Sequence, residues 1–298
     1  MPFMTRELLE DTQALVDDTR EPSRRSAIKA AIGMGYVAAA GPVMSQTAIK
    51  TPADGLITGE VMVDVNGFKM PAFRSAPAGK TGLPVVLVVS EIFGVHEYIA
   101  DVTRRLARQG YLAIAPELFV RQGDPGSYGE AARINAELIS RVPDDQVIGD
   151  LDACMAWAQS NGGDVSRLAI SGFCWGGRIV WLYAAHQPRL KAAVAWYGRL
   201  QGAVTPNTPK HPLEVTGQLK APVLGLYGGA DAGIPIDSVE QMKRALTQGS
   251  PAARASEFVV YPDTPHAFHA DYRATYRQGP AEDGWQRLQS WFRRHGVA

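Results

Sequence analysis

A short glycine-rich turn contains the residue with the clearest potential for chemistry. Cys174 lies within the sequence GFCWGG at residues 172–177, which joins the apolar run 167–171 to a second apolar segment. Glycine two residues before and after a nucleophile is typical of a strand–turn–helix elbow, because strand and helix approach closely there. A helix N-terminus also favours the thiolate. The turn therefore predicts a cysteine nucleophile; the alternative is a tight turn around a buried, unreactive thiol.

A carboxylate and a histidine follow two later apolar runs. Asp231 comes after the run 223–227, and His266 comes after the run 257–261. This chain order, nucleophile then acid then histidine, is the one that an α/β-hydrolase sheet requires. A histidine can act as base for the thiol while a carboxylate orients its ring. Cys174, Asp231 and His266 are therefore predicted to form a catalytic triad.

Other residues compete for the acid and base positions. Asp237 is expected to begin a helix, and Asp263 is expected to lie in a turn. His269 comes three residues after His266 and could support the triad from behind. The remaining histidines do not follow a late strand, so we expect them to serve packing or the surface: His96, His186, His211 and His295.

Glu91 follows a buried apolar run at the place where an oxyanion-hole loop belongs, in the sequence SEIFG at residues 90–94. A carboxylate at the end of an apolar strand is costly unless it is paired, which marks Glu91 as a candidate catalytic group. The backbone N–H groups of Ile92 and Trp175 are the predicted oxyanion donors. The alternative is that Glu91 caps the helix that follows.

Strand-like and helix-like segments alternate around these residues. The segments 60–66 and 70–74 predict an antiparallel hairpin. Later apolar runs predict buried strands, and the segments between them predict helices. The predicted strands are 83–89, 111–115, 167–171, 192–196, 223–227 and 257–261; the predicted helices are 97–109, 128–140, 146–160, 175–186, 236–247 and 282–294. This alternation predicts one α/β domain over residues 49–298, with a mostly parallel sheet, helices on both faces and an N-terminal hairpin.

The composition excludes several classes of function. The 298 residues are 46% hydrophobic and 20% charged, as in a globular protein, and 30 basic residues balance 30 acidic ones. No net charge draws the chain to nucleic acid or an anionic membrane. Its two cysteines, Cys154 and Cys174, are too few for a disulfide scaffold or a cysteine-rich metal site. Cys154 lies in an apolar segment and is expected to be an inert, buried thiol; no cofactor, metal or stable membrane span is expected.

The N-terminal segment has a different character. Arg24 and Arg25 precede the weakly apolar, Ala/Gly-rich stretch 30–40, which resembles a twin-arginine export signal, although Ala27 departs from the usual pattern. Residues 1–48 are therefore expected to be an extension outside the hydrolase domain, and the enzyme is expected in the periplasm. The alternative is an ordinary N-terminal extension with an incidental arginine pair on a cytoplasmic protein.

Together these motifs resemble the dienelactone hydrolase, or carboxymethylenebutenolidase, family. The resemblance spans roughly residues 59–295 and depends most on GFCWGG around the cysteine. The weaker matching segments are EIFG at 91–94, PELF at 116–119, YG at 197–198, GAD at 229–231 and HAF at 266–268.

The family resemblance implies a hydrolase that opens a small ester or enol-lactone through a thioester acyl-enzyme. It implies that Glu91 helps to form the thiolate and that Arg121 grips a substrate carboxylate, with Tyr128 and Tyr197 lining the pocket. The family also uses a second arginine shortly after the histidine. This chain departs there, because Arg273 comes later than that position.

Competing functions use the same scaffold. The absence of a second arginine at the family position favours a general carboxylesterase or thioesterase. A non-catalytic small-molecule binder would not need the complete set of catalytic side chains. A thiol redox protein would need a resolving cysteine, and the chain has no Cys-x-x-Cys pair. The sequence indicates no particular oligomeric state.

Overall fold

A computed structural model of the chain describes residues 48–298, so the arginine pair and the rest of the N-terminal extension up to residue 47 lie outside the described part. Within it, eight strands form one sheet in the order β1-β2-β4-β3-β5-β6-β7-β8. The strands are β1 Leu56–Val65, β2 Phe68–Pro77, β3 Leu83–Val89, β4 Leu112–Pro116, β5 Gly163–Phe173, β6 Leu190–Trp196, β7 Val223–Gly228 and β8 Glu257–Tyr261.

The sheet is antiparallel only at its N-terminal side. β1 pairs with β2, and β2 pairs with β4, in antiparallel fashion, whereas every pair from β4 through β8 is parallel. Every residue of β3 and β4 is buried, which requires helices on both faces because side chains alternate along a strand. The predicted fold class is therefore confirmed. The carboxyl ends of the parallel strands meet at one edge of the sheet, as a site between the following loops requires.

Seven α-helical segments accompany the sheet within residues 48–298. They are α1 Glu97–Arg108, α2 Ala131–Arg133, α3 Asp144–Ser160, α4 Trp175–His186, α5 Ile236–Thr247, α6 Pro251–Arg254 and α7 Gln278–Arg294. Asp237 lies in the first turn of α5, and Asp263 has φ of 53°, a turn conformation. Both positions agree with the sequence-based expectations.

The predicted helix over 128–140 is confirmed only in part, because the chain is helical from Ala131 to Arg141 but changes its helix type twice. A 3-10 turn at Pro125–Ser127, the short helix α2, a π-turn at Ile134–Leu138 and a 3-10 turn at Ile139–Arg141 occupy this region. The Asn135 side chain donates to the carbonyl of Ala131, and the Ser140 hydroxyl donates to that of Ala136. Such side-chain bonds compete with regular helical pairing. The last helix begins at Gln278 rather than residue 282, because Pro280 is compatible with a first helical turn.

The remaining expectations about core and surface concern Cys154, membranes and metals. Cys154 is fully buried, and this burial raises the pKa of its thiol far above the ordinary value. Its burial is as predicted, and its lack of reactivity stays a prediction. Among residues 48–298, no helix is long and apolar enough to cross a membrane. In the same residues, no group of three or more His, Cys, Asp or Glu side chains could hold a metal ion.

Candidate active site

Cys174 occupies a strained turn between β5 and α4. Its φ of 54° and ψ of −115° lie in a region that residues with a side chain rarely adopt. Its N–H donates to the carbonyl of Trp196 at 3.0 Å, which fixes the turn. A Cβ on Gly172 would lie 2.5 Å from the carbonyl oxygen of Gly176, so the strand and helix tolerate no side chain there. The elbow predicted from the glycine spacing is present.

The start of α4 packs directly on the segment that carries Glu91. A Cβ on Gly176 would overlap the carbonyl groups of Val89 and Ser90. This close packing brings the backbone of Ile92 and Trp175, from two different elements, to the same end of the sheet. Neither N–H donates to a protein acceptor among the described residues. Both remain open to an external acceptor, although their role as oxyanion donors stays a prediction.

Asp231 and His266 form a close pair. The distance from Asp231 Oδ2 to His266 Nδ1 is 2.6 Å, and since a carboxylate accepts, Nδ1 donates. The other carboxylate oxygen accepts from the N–H groups of Gly233 and Ile234 at 2.9 and 3.2 Å. Asp231 therefore fixes the ring of His266 and leaves Nε2 as the nitrogen that can exchange a proton with the thiol.

Backbone bonds join the loop of the acid to the loop of the histidine. Gly229 N–H donates to the carbonyl of Tyr261 at 2.7 Å, and Ala230 N–H donates to that of Thr264 at 3.0 Å. These bonds connect the segments after β7 and β8. The spacing between Asp231 and His266 is thus set by the main chain as well as by their own hydrogen bond.

Two opposing effects act on the pKa of His266. Burial alone would lower its pKa, but electrostatic interaction with Cys174 and Asp231 raises the pKa well above the ordinary value. The ring edge also contacts Tyr197, with centroids 5.1 Å apart. Tyr197 is buried and interacts electrostatically with Cys174 and Glu91, so the structure brings this predicted pocket residue to the site.

His269 lies in an aromatic environment, against the rings of Tyr98, Phe173, Trp196 and Trp285. Its Nδ1 lies 2.6 Å from the Tyr98 hydroxyl, within hydrogen-bond distance, and its ring stacks on Phe173 with centroids 5.3 Å apart. Burial, with a smaller contribution from Arg105, holds the pKa of His269 well below the ordinary value. A neutral, enclosed histidine of this kind supports the packing beneath Cys174 and is poorly suited to act as its base.

Glu91 is fully buried, and only one of its carboxylate oxygens has close partners. Oε2 accepts from the Tyr272 hydroxyl at 2.8 Å and lies 3.5 Å from His96 Nε2. Oε1 has no hydrogen-bond partner. Burial alone would raise the pKa of Glu91, but His96, then Arg273 and Tyr272, bring the pKa below the ordinary value. Glu91 does not cap the following helix, because α1 begins only at Glu97 and takes no bond from it.

Sequence reasoning missed three residues of this cluster: His96, Tyr272 and Arg273. His96 was assigned to packing or the surface, but it faces Glu91. Arg273 lies beyond the position expected for a second arginine, yet it interacts electrostatically with Glu91 and Tyr197, and its guanidinium lies 5.8 Å from the Phe93 ring centroid. The turns after His266 return the chain so that Arg273 lies near Glu91, and no sequence pattern marks such turns clearly.

Arg121 is placed differently from the expectation. Its two terminal nitrogens bond both carboxylate oxygens of Asp150 at 2.7 and 2.8 Å, and its guanidinium lies 4.2 Å from the Phe68 ring centroid. Tyr128, also expected in the pocket, lies with its ring centroid 5.8 Å from Arg133. No described contact connects Arg121 or Tyr128 to Cys174. Their substrate-binding roles stay predictions, and the Asp150 pair argues against that of Arg121.

We expect Arg121→Ala to reduce stability rather than substrate selectivity. Removing one partner of a buried ion pair costs about 3 kcal/mol or more, and here it strands the buried carboxylate of Asp150. The exposed pair of Arg133 and Glu137 provides a control, since Arg133→Ala should cost far less stability. Denaturant unfolding measures both. If KM instead rose for anionic esters alone, with stability unchanged, Arg121 would be a substrate ligand.

Comparison with known proteins agrees with this geometry. A family model described as the dienelactone hydrolase family matches residues 70–296. The chain belongs to the dienelactone hydrolase family.

Similar proteins support the assignment to the dienelactone hydrolase family along most of the chain. A protein of Methylorubrum extorquens named "Putative carboxymethylenebutenolidase" is 54% identical over 277 residues, covering 93% of this chain and 94% of its own. A protein of Escherichia coli K12 with the same name is 53% identical, covering 88% of this chain and 96% of its own. The crystal structure of a "Putative Dienelactone Hydrolase" from Klebsiella pneumoniae is 55% identical, with a TM-score of 0.78 over 80% of this chain and 99% of that one. Such relatives indicate a hydrolase of ester or lactone bonds.

Proposed function

We propose that the protein hydrolyses a small ester or enol-lactone through a Cys174–His266–Asp231 triad. The observation that supports this most strongly is the combination of a strained cysteine elbow with an oriented histidine–carboxylate pair at the same sheet edge. The raised pKa of His266 and the nearby thiol favour a thiolate–imidazolium pair. The names of its relatives suggest an enol-lactone as the natural substrate class.

The proposed reaction has two halves. The Cys174 thiolate attacks the carbonyl carbon, and the backbone N–H groups of Ile92 and Trp175 stabilise the oxyanion. The C–O bond then breaks, His266 Nε2 protonates the departing oxygen, and a thioester remains. A water molecule, deprotonated by His266, attacks the thioester and releases the acid and the Cys174 thiolate, which regains a proton from solvent when the product leaves. Glu91 assists the first step by accepting the thiol proton when substrate fills the site, so the imidazolium of His266 keeps its own proton for the departing oxygen.

The positive charge of Arg273 favours a substrate with an acidic group near Glu91 and Phe93. Arg273 places a positive charge beside Glu91 and Phe93, which partly replaces the arginine that the sequence lacks at the family position. A general carboxylesterase or thioesterase is the second candidate. Arg121 bonds Asp150 with both terminal nitrogens, so it does not offer them to a substrate carboxylate. The two candidates differ in the ratio of kcat/KM for anionic and neutral esters.

A turnover screen across enol-lactones, neutral aryl esters, anionic aryl esters and thioesters tests the proposal. Iodoacetamide titration in parallel measures the reactive thiol, with Cys154→Ala as the control because that thiol is fully buried. We expect one equivalent of reactive thiol and alkylation that abolishes turnover. A reactive thiol without turnover of any substrate would instead support a binding or redox-sensing protein.

We also propose that residues 1–48 direct export to the periplasm. The Arg24–Arg25 pair precedes a stretch that is apolar enough to be read as a signal, and it lies outside the described residues. Cells that produce the full-length chain should contain a shortened form, beginning near Ile49, in the periplasmic fraction. Replacing both arginines by lysine should retain the full-length form in the cytoplasm. An uncleaved cytoplasmic protein that does not respond to this change would contradict export.

A further inference from the structure

His96 lies at a partly exposed side of the buried Glu91 carboxylate. The side chain of Glu91 is 1% exposed, that of His96 is 23% exposed, and their Oε2 and Nε2 atoms lie 3.5 Å apart. His96 Nε2 is itself buried and has no hydrogen-bond partner. The exposed part of the ring therefore lies away from the nitrogen that faces Glu91. This arrangement gives the ring one end in the interior and one end at the surface.

The ring of His96 is held in place from three directions. It stacks on Tyr98 with centroids 5.9 Å apart and contacts the rings of Tyr272 and Phe93 edge-on, at 5.0 and 6.4 Å. The charged and titratable groups around it are Glu91, Tyr98 and Tyr272, and Arg273 interacts electrostatically with the same carboxylate. Its chain neighbour Glu97 is bound to Arg104 instead. Glu91 is thus the carboxylate that the imidazole ring of His96 faces.

The neighbours of Glu91 differ in their ability to exchange its proton with water. Tyr272 is buried, and burial raises the pKa of its hydroxyl well above the ordinary value, so it stays protonated. An arginine such as Arg273 does not release its proton near neutral pH. A histidine ring can hold a proton on either nitrogen, and His96 also reaches the surface. Of the three, only His96 can both receive a proton and pass it outward.

We propose that His96 is a positioning residue that keeps Glu91 ionised and carries protons between Glu91 and solvent. This inference rests on the proposed function, in which Glu91 accepts the thiol proton. The proton then moves from Glu91 Oε2 to His96 Nε2, leaving a carboxylate and an imidazolium. The imidazolium releases a proton to water at its exposed side. No oxidation or further reactant is involved.

The test separates the charge of Glu91 from catalytic turnover. Infrared difference spectra of the protonated carboxyl band, referenced to Glu91→Gln, report the titration of Glu91 directly. His96→Phe keeps an aromatic ring in place, and His96→Gln keeps a polar group there. His186→Ala removes an exposed histidine from its pair with Asp152, 2.7 Å away, and is the matched control. Thermal unfolding verifies that each variant folds.

In His96→Phe, we expect the Glu91 titration and the acid limb of kcat/KM to move upward by about one pH unit, because a favourable neighbour of the carboxylate is lost. At a fixed pH below the limb, kcat/KM then falls about tenfold. His96→Ala should lower kcat more than it changes KM, and added imidazole should restore kcat. In the Glu91→Gln background, the His96 changes should have no further effect.

An unchanged Glu91 titration in both His96→Phe and His96→Gln, or a loss in His96→Ala that imidazole does not restore, would overturn the proposal. Losses of equal size with and without Glu91 would assign His96 a packing role only. If the wild-type protein hydrolysed none of the substrates, the proposed function would fail instead. The infrared titration would still decide whether His96 controls the charge of Glu91.

Discussion

Replacing Cys174 by alanine should lower kcat by about 10⁴-fold or more for every substrate that the wild-type protein hydrolyses. Cys174 occupies the elbow, and among the described residues the other thiol, Cys154, is buried and carries a raised pKa. Alanine retains a Cβ at φ of 54°, so the strain of the turn is unchanged and the fold should persist. Circular dichroism and steady-state kinetics measure the two outcomes.

A serine at the same position sharpens this prediction. Cys174→Ser preserves the shape of the elbow but replaces a thiol with a hydroxyl that ionises far less readily, so most activity should be lost. Cys154→Ala should keep nearly wild-type kcat with some loss of stability, because it leaves a small cavity in the core. Substantial turnover by Cys174→Ala would rule out the thioester mechanism.

His266→Ala should be nearly as damaging as Cys174→Ala, with a loss in kcat on the order of 10⁴-fold. In the proposed reaction, the ring bonded to Asp231 stabilises the thiolate as an imidazolium and protonates the leaving oxygen. His269→Ala removes the hydrogen-bond partner of the Tyr98 hydroxyl and a stacked ring, so it should lower stability by about 2–4 kcal/mol and affect kcat less. Kinetics and denaturant unfolding of both variants separate the roles.

A pH profile adds an independent check on His266. Its pKa is raised in the folded protein, so its favourable contribution to stability is present at low pH and is lost as pH rises through the folded pKa. His266→Ala should therefore lose more stability near neutral pH than at strongly alkaline pH. If His269→Ala proved far more damaging to kcat than His266→Ala, the assignment of the base would be wrong.

The parts of the fold that repeat a simple period were predictable. The strands and the order of Cys174, Asp231 and His266 follow from buried apolar runs and from the rule that parallel strands end at one edge. The interrupted helix over 125–141 was not predictable from periodicity, since side-chain bonds from Asn135 and Ser140 break its regular pairing. Local hydrogen bonding outweighed helix propensity there.

Some residues of the candidate site were likewise predictable from the sequence, and others were not. Residues directly after a strand, such as Glu91, could be placed from the sequence. Arg273 could not, because turns within residues 267–277 decide which side chains return to the sheet edge. Arg121 follows its strand as the family pattern requires, yet a distant carboxylate, Asp150, takes both of its terminal nitrogens. Pairings between residues far apart in sequence have no local signature.

The main-chain bonds between the Asp231 loop and the His266 loop bear on how this scaffold can change over evolutionary time. Those bonds set the spacing of Asp231 and His266 through residues 229–230 and 261–264, which lie far along the chain from the segment at 117–142. Insertions or exchanges in that segment should therefore leave this spacing unchanged. A library that varies residues 122–141 and leaves 228–231 and 261–266 untouched should retain the Asp231–His266 pair in more of its members than one that samples all of these loops equally.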